Sequence, residues 1–310
     1  MKHTERVGRA LRLMEQLHFP TDSIGYLSLL ERSYFLTEDY AEELDRLETS
    51  FMTRQLTGDQ AILRLKEIAA AIGVPDRSLS ELFYLNCAYD LEKVYRERNI
   101  DPDIFLRSMD DLRCKMLECR EMHGIWGNDT GSWPDGFFRL ERFGLGRLQF
   151  EIIPFEEPDY HWNGLTIRTQ DPVLNVHIPS GGSFPRASRY DAYRRAYQFY
   201  SDFHWVGGRY LPINCISWLL YKKHEEFLPP TSNILDFIHD FDIFASYDER
   251  PVPPWRIFGK HCTNPPEHLP RDTSLRRAYA DWLLTGHTCG YGRGMILFDG
   301  EKIVNNAREK

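Results

Sequence analysis

The segment Val173-Leu174-Asn175-Val176-His177-Ile178-Pro179-Ser180-Gly181-Gly182-Ser183-Phe184-Pro185-Arg186-Ala187-Ser188 holds the residue types and spacing best suited to chemistry. It reads as a buried strand with a histidine near its end, a glycine turn, and a helix that Ser188 would cap. A loop opening onto a helix N-terminus presents backbone N–H groups at the positive end of the helix dipole, a site suited to phosphate or pyrophosphate. The imidazole of His177 is placed beside it for proton transfer near neutral pH. A Pro-Ser-Gly-Gly turn after a strand is also simply a turn, so the reading needs support from the rest of the chain.

The elements that must position these groups fall into two halves. Residues 1–125 read as a helical bundle. Val7, Leu11, Met14 and Leu17 share a helix face that Pro20 ends. Asp59 is placed to cap a segment carrying Ala61, Ile62, Leu65, Ile68, Ala69 and Ile72, which Gly73 and Pro75 close, and Ser78 with Glu81 has capping-box spacing. Asp101-Pro102 opens a further helix through Phe105, Leu112 and Met116. Acidic pairs such as Glu38-Asp39 and Glu42-Glu43 read as solvated faces.

Residues 126–310 follow a different grammar. After a loop rich in turn formers, residues 137–144 and 147–155 read as strands joined by a Gly-Leu-Gly turn, followed by strands at 165–170 and 173–178. A helix is expected over 188–203, a strand over 213–221, a helix opening at Ser232, a short strand at 255–259, a helix over 274–284 and a closing hairpin over 295–304. The fold class is therefore α+β, a helical bundle followed by a mixed sheet flanked by helices.

Composition sets the outer limits. The chain has 310 residues, 42% hydrophobic and 27% charged, which suits a soluble protein with room for two domains. The 14% aromatic content, concentrated after residue 126, suits pockets as well as cores. A net charge of −8 and the lack of a Lys/Arg block argue against a nucleic-acid binder. No apolar run reaches the roughly 18 residues of a membrane span. The six cysteines form no CxxC pair, which suits free thiols in a reducing cytoplasm. No metal is expected: no two histidines have ligand spacing, and His261, Cys262 and His268 lie in a Pro-rich loop.

The strings Arg142-Phe143-Gly144-Leu145-Gly146-Arg147-Leu148-Gln149-Phe150-Glu151, Val176-His177-Ile178-Pro179, Cys215-Ile216-Ser217-Trp218-Leu219-Leu220, Ser232-Asn233-Ile234-Leu235 and Trp255-Arg256-Ile257-Phe258-Gly259, in that order, resemble the GNAT superfamily of acyl-CoA N-acyltransferases. The match is nearest to bacterial acyltransferases that carry a helical N-terminal domain before a GNAT-like domain. The resemblance implies acyl transfer from an acyl-CoA thioester to a small amine, with sugar-amine and amino-acid N-acyltransferases among the relatives. The family commonly places an Arg/Gln-x-x-Gly-x-Gly/Ala string after its fourth strand. Here Ser180-Gly181-Gly182-Ser183 stands there, with Arg186 and Arg189 beyond it. This departure keeps an acyl carrier protein open as the donor.

Such a reaction needs an oxyanion site, a base for the amine, a proton for the leaving thiolate and a gap for the thioester. By the resemblance, backbone N–H groups of Asn175, Val176 and His177 face the thioester where the fourth and fifth strands part, and residues 180–183 with Arg186 and Arg189 cradle the pyrophosphate. His177 is the candidate base, against a core histidine bonded to backbone. Cys215 and Ser217, two apart on one strand, share a face and are candidates for the gap and for protonating the thiolate, against a small buried hydrophobe for Cys215. Glu151 is either an amine-binding carboxylate or half of a cross-strand ion pair. Tyr291, in a Gly-rich hairpin entry, is a further candidate to close over the acceptor. A thiol hydrolase built on Cys215 and His177 is disfavoured, because the apolar run around Cys215 raises a thiol pKa. The competing class is a non-catalytic GNAT-like binding module.

Overall fold

The computed structural model describes residues 8–34, 38–202, 206–250 and 255–306. Val7, residue 203 and the side chains of Glu38 and Asp39 lie outside the described residues. The chain forms two compact units, Met1–Gly144 with Pro179–Gly181, and Leu145–Ile178 with Gly182–Lys310.

The first unit is built from α1 (Arg9–Gln16), α2 (Thr21–Tyr34), α3 (Glu38–Met52), α4 (Gly58–Ile72), α5 (Asp76–Glu97), α6 (Pro102–His123) and the single turn α7 (Asp135–Phe138). Helix α5 is its axis: it packs against α1, α2, α3, α4 and α6 and buries Leu79, Leu82, Phe83, Leu85, Ala88 and Leu91. Gly73 ends α4 and Gly124 ends α6, each with positive φ, a conformation glycine adopts without a Cβ penalty. Asp101 caps α6 ahead of Pro102, as its spacing predicts. Two expected caps are corrected. Thr57 caps α4 in a capping box with Gln60, so Asp59 lies inside the first turn. Pro75 stands at the N-cap of α5, which leaves Ser78 and Glu81 inside that helix.

Both inner positions are used for burial. Ser78 Oγ donates to the Trp126 carbonyl at 2.8 Å. Glu81 is fully buried, and its Oε2 accepts from Asn128 Nδ2 at 3.1 Å. Loss of hydration pushes the Glu81 pKa up from about 4.5 to about 8; the Asn128 bond opposes the shift and the Asp111 charge adds to it. Glu81 is therefore a neutral acid at pH 7.

The second unit is organised by a six-stranded sheet. Its strands are β1 (Arg142–Leu145), which straddles the boundary of the two units at Gly144, β2 (Leu148–Pro154), β5 (Pro172–His177), β6 (Leu211–Ser217), β7 (Asp242–Arg250) and β8 (Cys289–Phe298), in the order β1-β2-β5-β6-β8-β7. A separate antiparallel pair, β3 (Tyr160–Trp162) and β4 (Leu165–Ile167), forms between β2 and β5. Helices α8 (Arg186–Phe199), α9 (His224–Phe227), α10 (Asn233–Ile238), α11 (Trp255–Phe258) and α12 (Ser274–Leu284) complete it. Strands β5 and β6 run parallel, whereas β2–β5, β6–β8 and β7–β8 are antiparallel.

Several expected elements change here. Residues 137–144, expected as one strand, divide between α7 and β1, and residues 255–259, expected as a strand, form α11 and a following 3-10 turn. Both runs are short and aromatic, so neither period had room to show. Strand β7 takes the place expected for the closing hairpin partner, which reduces to a bridge between Phe298 and Ile303. Helix α8 starts two residues early: Pro185 stands at its N-cap, and Ser188 Oγ donates back to the Pro185 carbonyl at 2.8 Å. No helix among the described residues is long and apolar enough to cross a membrane.

Candidate functional site

Register decides which side chains meet. Strand β2 sets Glu151 opposite Asn175 and Gln149 opposite His177, and β5 sets Asn175 beside Asn214 of β6. Strand β6 in turn sets Asn214 opposite Met295 of β8, which faces Asp242 of β7. Partner residues project from the same face and neighbours along a strand from opposite faces. One face therefore carries a row, polar except for Met295, of Glu151, Asn175, Asn214, Met295 and Asp242, with Gln149, His177, Ile216 and Arg293 two residues further along.

The same face is sealed at its other end. Val173, Met295 and Leu297 join Phe155, Tyr160 and Ile167 in a buried cluster against the β3–β4 pair. Tyr160 Oη donates to Asp242 Oδ2 at 2.7 Å and accepts from Asn305 Nδ2 at 2.9 Å. Arg293 pairs with Glu157.

At the open end, His177 Nε2 lies 2.6 Å from Glu151 Oε1, with the two side chains 21% and 17% exposed. Asn175 Nδ2 lies 3.2 Å from His177 Nε2 and 3.5 Å from Glu151 Oε1. The carboxylate only accepts and the amide nitrogen only donates, so Nε2 serves one of them at a time. The shorter contact assigns the Nε2 proton to the bond with Glu151. In the neutral ring the lone pair then lies on Nδ1, the tautomer of a base held by a carboxylate.

Beside this group the sheet opens. Strands β5 and β6 pair at Leu174 with Ile213 and at Asn175 with Asn214, and at no further position among the described residues. Beyond these pairs Val176 and His177 part from Cys215, Ile216 and Ser217, leaving strand backbone off the ladder. Ile216, on the His177 face, is 48% exposed.

The remaining expected site residues fall elsewhere. Cys215 and Ser217 do share a face, but it is the face opposite His177. Cys215 is fully buried there, and burial pushes its thiol pKa far up. Ser217 Oγ is taken by the Leu219 N–H of the following 3-10 turn at 3.2 Å. Arg189, expected at a phosphate, is fully buried: Nε donates to Asp240 Oδ2 at 2.6 Å and Nη2 to Asp236 Oδ2 at 2.7 Å. Burial by itself lowers its pKa, but the bonds and charge of Asp240 and Asp236 hold the guanidinium above its ordinary value. Arg189 thus fastens α8 to α10. Arg186 is exposed on the first turn of α8, its Nη2 3.2 Å from Tyr190 Oη.

The glycine turn has the expected backbone. Gly181 and Gly182 have φ of 86° and 72°, and a Cβ at either would meet no atom within 4 Å. The Ser180 carbonyl accepts the Cys114 thiol at 3.0 Å, and the Ser183 carbonyl accepts Arg147 Nε at 3.2 Å. Tyr291 stacks on Tyr247 with centroids 5.0 Å apart. Among the described residues no group of three His, Cys, Asp or Glu side chains could hold a metal ion. Sequence reading missed Asn214 and the side chain of Asn175; an amide in the apolar run Leu211-Pro212-Ile213-Asn214-Cys215-Ile216 was the available signal.

A mixed sheet in which the parallel pair β5–β6 parts midway, with a glycine turn and a helix following β5, defines the GNAT-like class of fold. The chain belongs to the GNAT-like N-acyltransferase family: the N-acyltransferase N-terminal domain matches residues 9–140 and the GNAT-like C-terminal domain matches residues 143–296. No curated protein matches it in sequence. Solved structures share the fold, three of them as follows. An acyltransferase in complex with decanoyl-CoA and teicoplanin is 19% identical with a TM-score of 0.68, covering 93% of this chain and 87% of its own. An acyltransferase in complex with CoA and 10C-teicoplanin gives the same values. An acyltransferase in complex with decanoyl-CoA is 20% identical with a TM-score of 0.65, covering 92% and 86%.

Proposed function

We propose that the protein moves an acyl group from an acyl-CoA thioester to the amine of a small acceptor, with His177 as the base. The observation that carries this reading is the 2.6 Å contact of His177 Nε2 with Glu151, on the sheet face where β5 and β6 part. The amine nitrogen attacks the thioester carbon, the C–N bond forms as the C–S bond breaks, and the amine proton passes to His177 Nδ1. It goes on from there to the departing thiolate. Glu151 holds the ring and stabilises the imidazolium while it exists. A backbone N–H of β5 beyond the Asn175–Asn214 pair, within Val176–His177, holds the oxyanion, a contribution of about 3 kcal/mol for one well-placed donor. The turn at residues 180–183, with Arg186, takes the pyrophosphate, because two glycines at positive φ let backbone approach an anion closely. Six free, buried cysteines suit work in the cytoplasm.

The fold neighbours hold decanoyl-CoA and a glycopeptide, which makes medium-chain acyl-CoA the first donor to try. The test is ligand-linked stability. Decanoyl-CoA at about 100 times its Kd should stabilise the protein by roughly 2.7 kcal/mol, and an amine should then release free CoA. A protein stabilised by neither CoA nor decanoyl-CoA, but acylated product from a decanoyl carrier protein, moves the donor to the carrier. No stabilisation and no product from either donor leaves a binding module and overturns the reading.

A further inference from the structure

Asn214 stands in the central strand β6, 3% exposed, and its Oδ1 has no hydrogen-bond partner among the described residues. A buried acceptor left unpaired is costly to the folded protein and demands a reason. Its position supplies one. Asn214 is the last β6 residue paired to β5, so it lies where the two strands begin to part. Its register partner Asn175 belongs to the His177–Glu151 group, and side chains of partner residues leave the sheet on the same side.

We propose that Asn214 Oδ1 accepts an N–H of the acyl acceptor, and that Asn214 thereby selects amines over alcohols. The inference rests on the acyl-transfer reading above. Glu151, the His177 ring and Asn214 Oδ1 together offer hydrogen-bond acceptors on one face. That set matches an ammonium or amine, which brings two or three N–H donors, better than a hydroxyl, which brings one. An N–H of the donor's pantetheine arm is the poorer match. The thioester gap is lined by backbone in the plane of the sheet, whereas the Asn214 side chain leaves that plane on the His177 side.

The experiment compares wild type, Asn214→Leu and Asn214→Asp, with decanoyl-CoA as donor, glucosamine as the amine probe and glucose as its hydroxyl counterpart. Asn214→Leu keeps the side-chain volume and removes the unpaired oxygen, so its melting temperature should equal or exceed that of wild type. Its KM for glucosamine should rise about tenfold or more with decanoyl-CoA affinity unchanged. Asn214→Asp keeps an acceptor oxygen and should keep the wild-type KM. Asn214→Ala carries the same test if the Leu side chain prevents folding. An unchanged glucosamine KM in Asn214→Leu overturns the proposal, as does Asn214→Asp behaving like Asn214→Leu. A rise in decanoyl-CoA Kd instead of glucosamine KM assigns the oxygen to the donor and also overturns it. Wild type that uses glucose as well as glucosamine, or neither, does the same. Failure of the acyl-transfer reading is seen separately, in wild type that binds no decanoyl-CoA and gives no product from a decanoyl carrier protein either.

Discussion

Replacing Glu151 by Gln tests the division of labour between the carboxylate and the imidazole. The variant keeps an oxygen that can accept from His177 Nε2–H and removes only the charge, leaving the ring's orientation intact. Two unit charges about 4 Å apart attract by about 4 kcal/mol at the effective dielectric of a partly buried site. The 21% and 17% exposures place this pair in that regime. If about half of the positive charge has reached the ring in the transition state, the loss is about 2 kcal/mol, roughly thirtyfold in kcat. Free-thiol release at saturating decanoyl-CoA measures it directly. The acyl-CoA KM should stay put, because Glu151 faces the ring and not the donor. Unchanged kcat in Glu151→Gln, or a loss confined to the acyl-CoA KM, would show that Glu151 does not serve His177 and would refute the dyad.

Three further outcomes follow from the same geometry. Glu81 ionises near pH 4.5 when unfolded and near pH 8 when folded, so the folded state holds the extra proton between those values and stability falls as pH rises through them. At 1.36 kcal/mol per unit the whole fall is at most about 5 kcal/mol. Urea unfolding of Glu81→Gln should lack that fall, and a slope identical to wild type contradicts a neutral Glu81. Arg189→Met leaves Asp240 charged and fully buried, at a cost of about 3–5 kcal/mol; near-native stability by denaturant unfolding would show that the guanidinium does not fasten α8 to α10. Cys215→Ala, altering the buried face opposite His177, should keep kcat within about threefold, because no general acid or base is lost. A tenfold or larger loss there would mean that the thiol reaches the reaction after all.

Much of the helical half was legible because its stops are backbone facts. Gly73, Pro75 and Asp101-Pro102 act locally, and no tertiary contact overrode them. The start of α5 was misread because Ser78 and Glu81 have the spacing of a capping box but spend their polar atoms on Trp126 and Asn128, some fifty residues away in the chain. In the sheet, the apolar strands β2 and β5 showed themselves, while β7, with Asp242 and Asp248 along its length, did not look like a strand.

The site followed the same rule. His177 and Glu151 were each visible as reactive side chains, but their meeting depends on the β2–β5 register, across an intervening β3–β4 pair. Arg189 read as a phosphate ligand because its partners, Asp236 and Asp240, lie about fifty residues on. Two residues apart on one strand correctly put Cys215 and Ser217 on one face. Which face that was could be decided only by the pairing of Asn214 with Asn175.

The most direct measurement is the turnover of His177→Ala with decanoyl-CoA and an amine acceptor, taken with the decanoyl-CoA Kd of the same variant. The account predicts that kcat falls by about 100- to 10,000-fold while the Kd stays within experimental error of wild type. Full turnover of His177→Ala across roughly pH 6–9, where a histidine base would act, contradicts it.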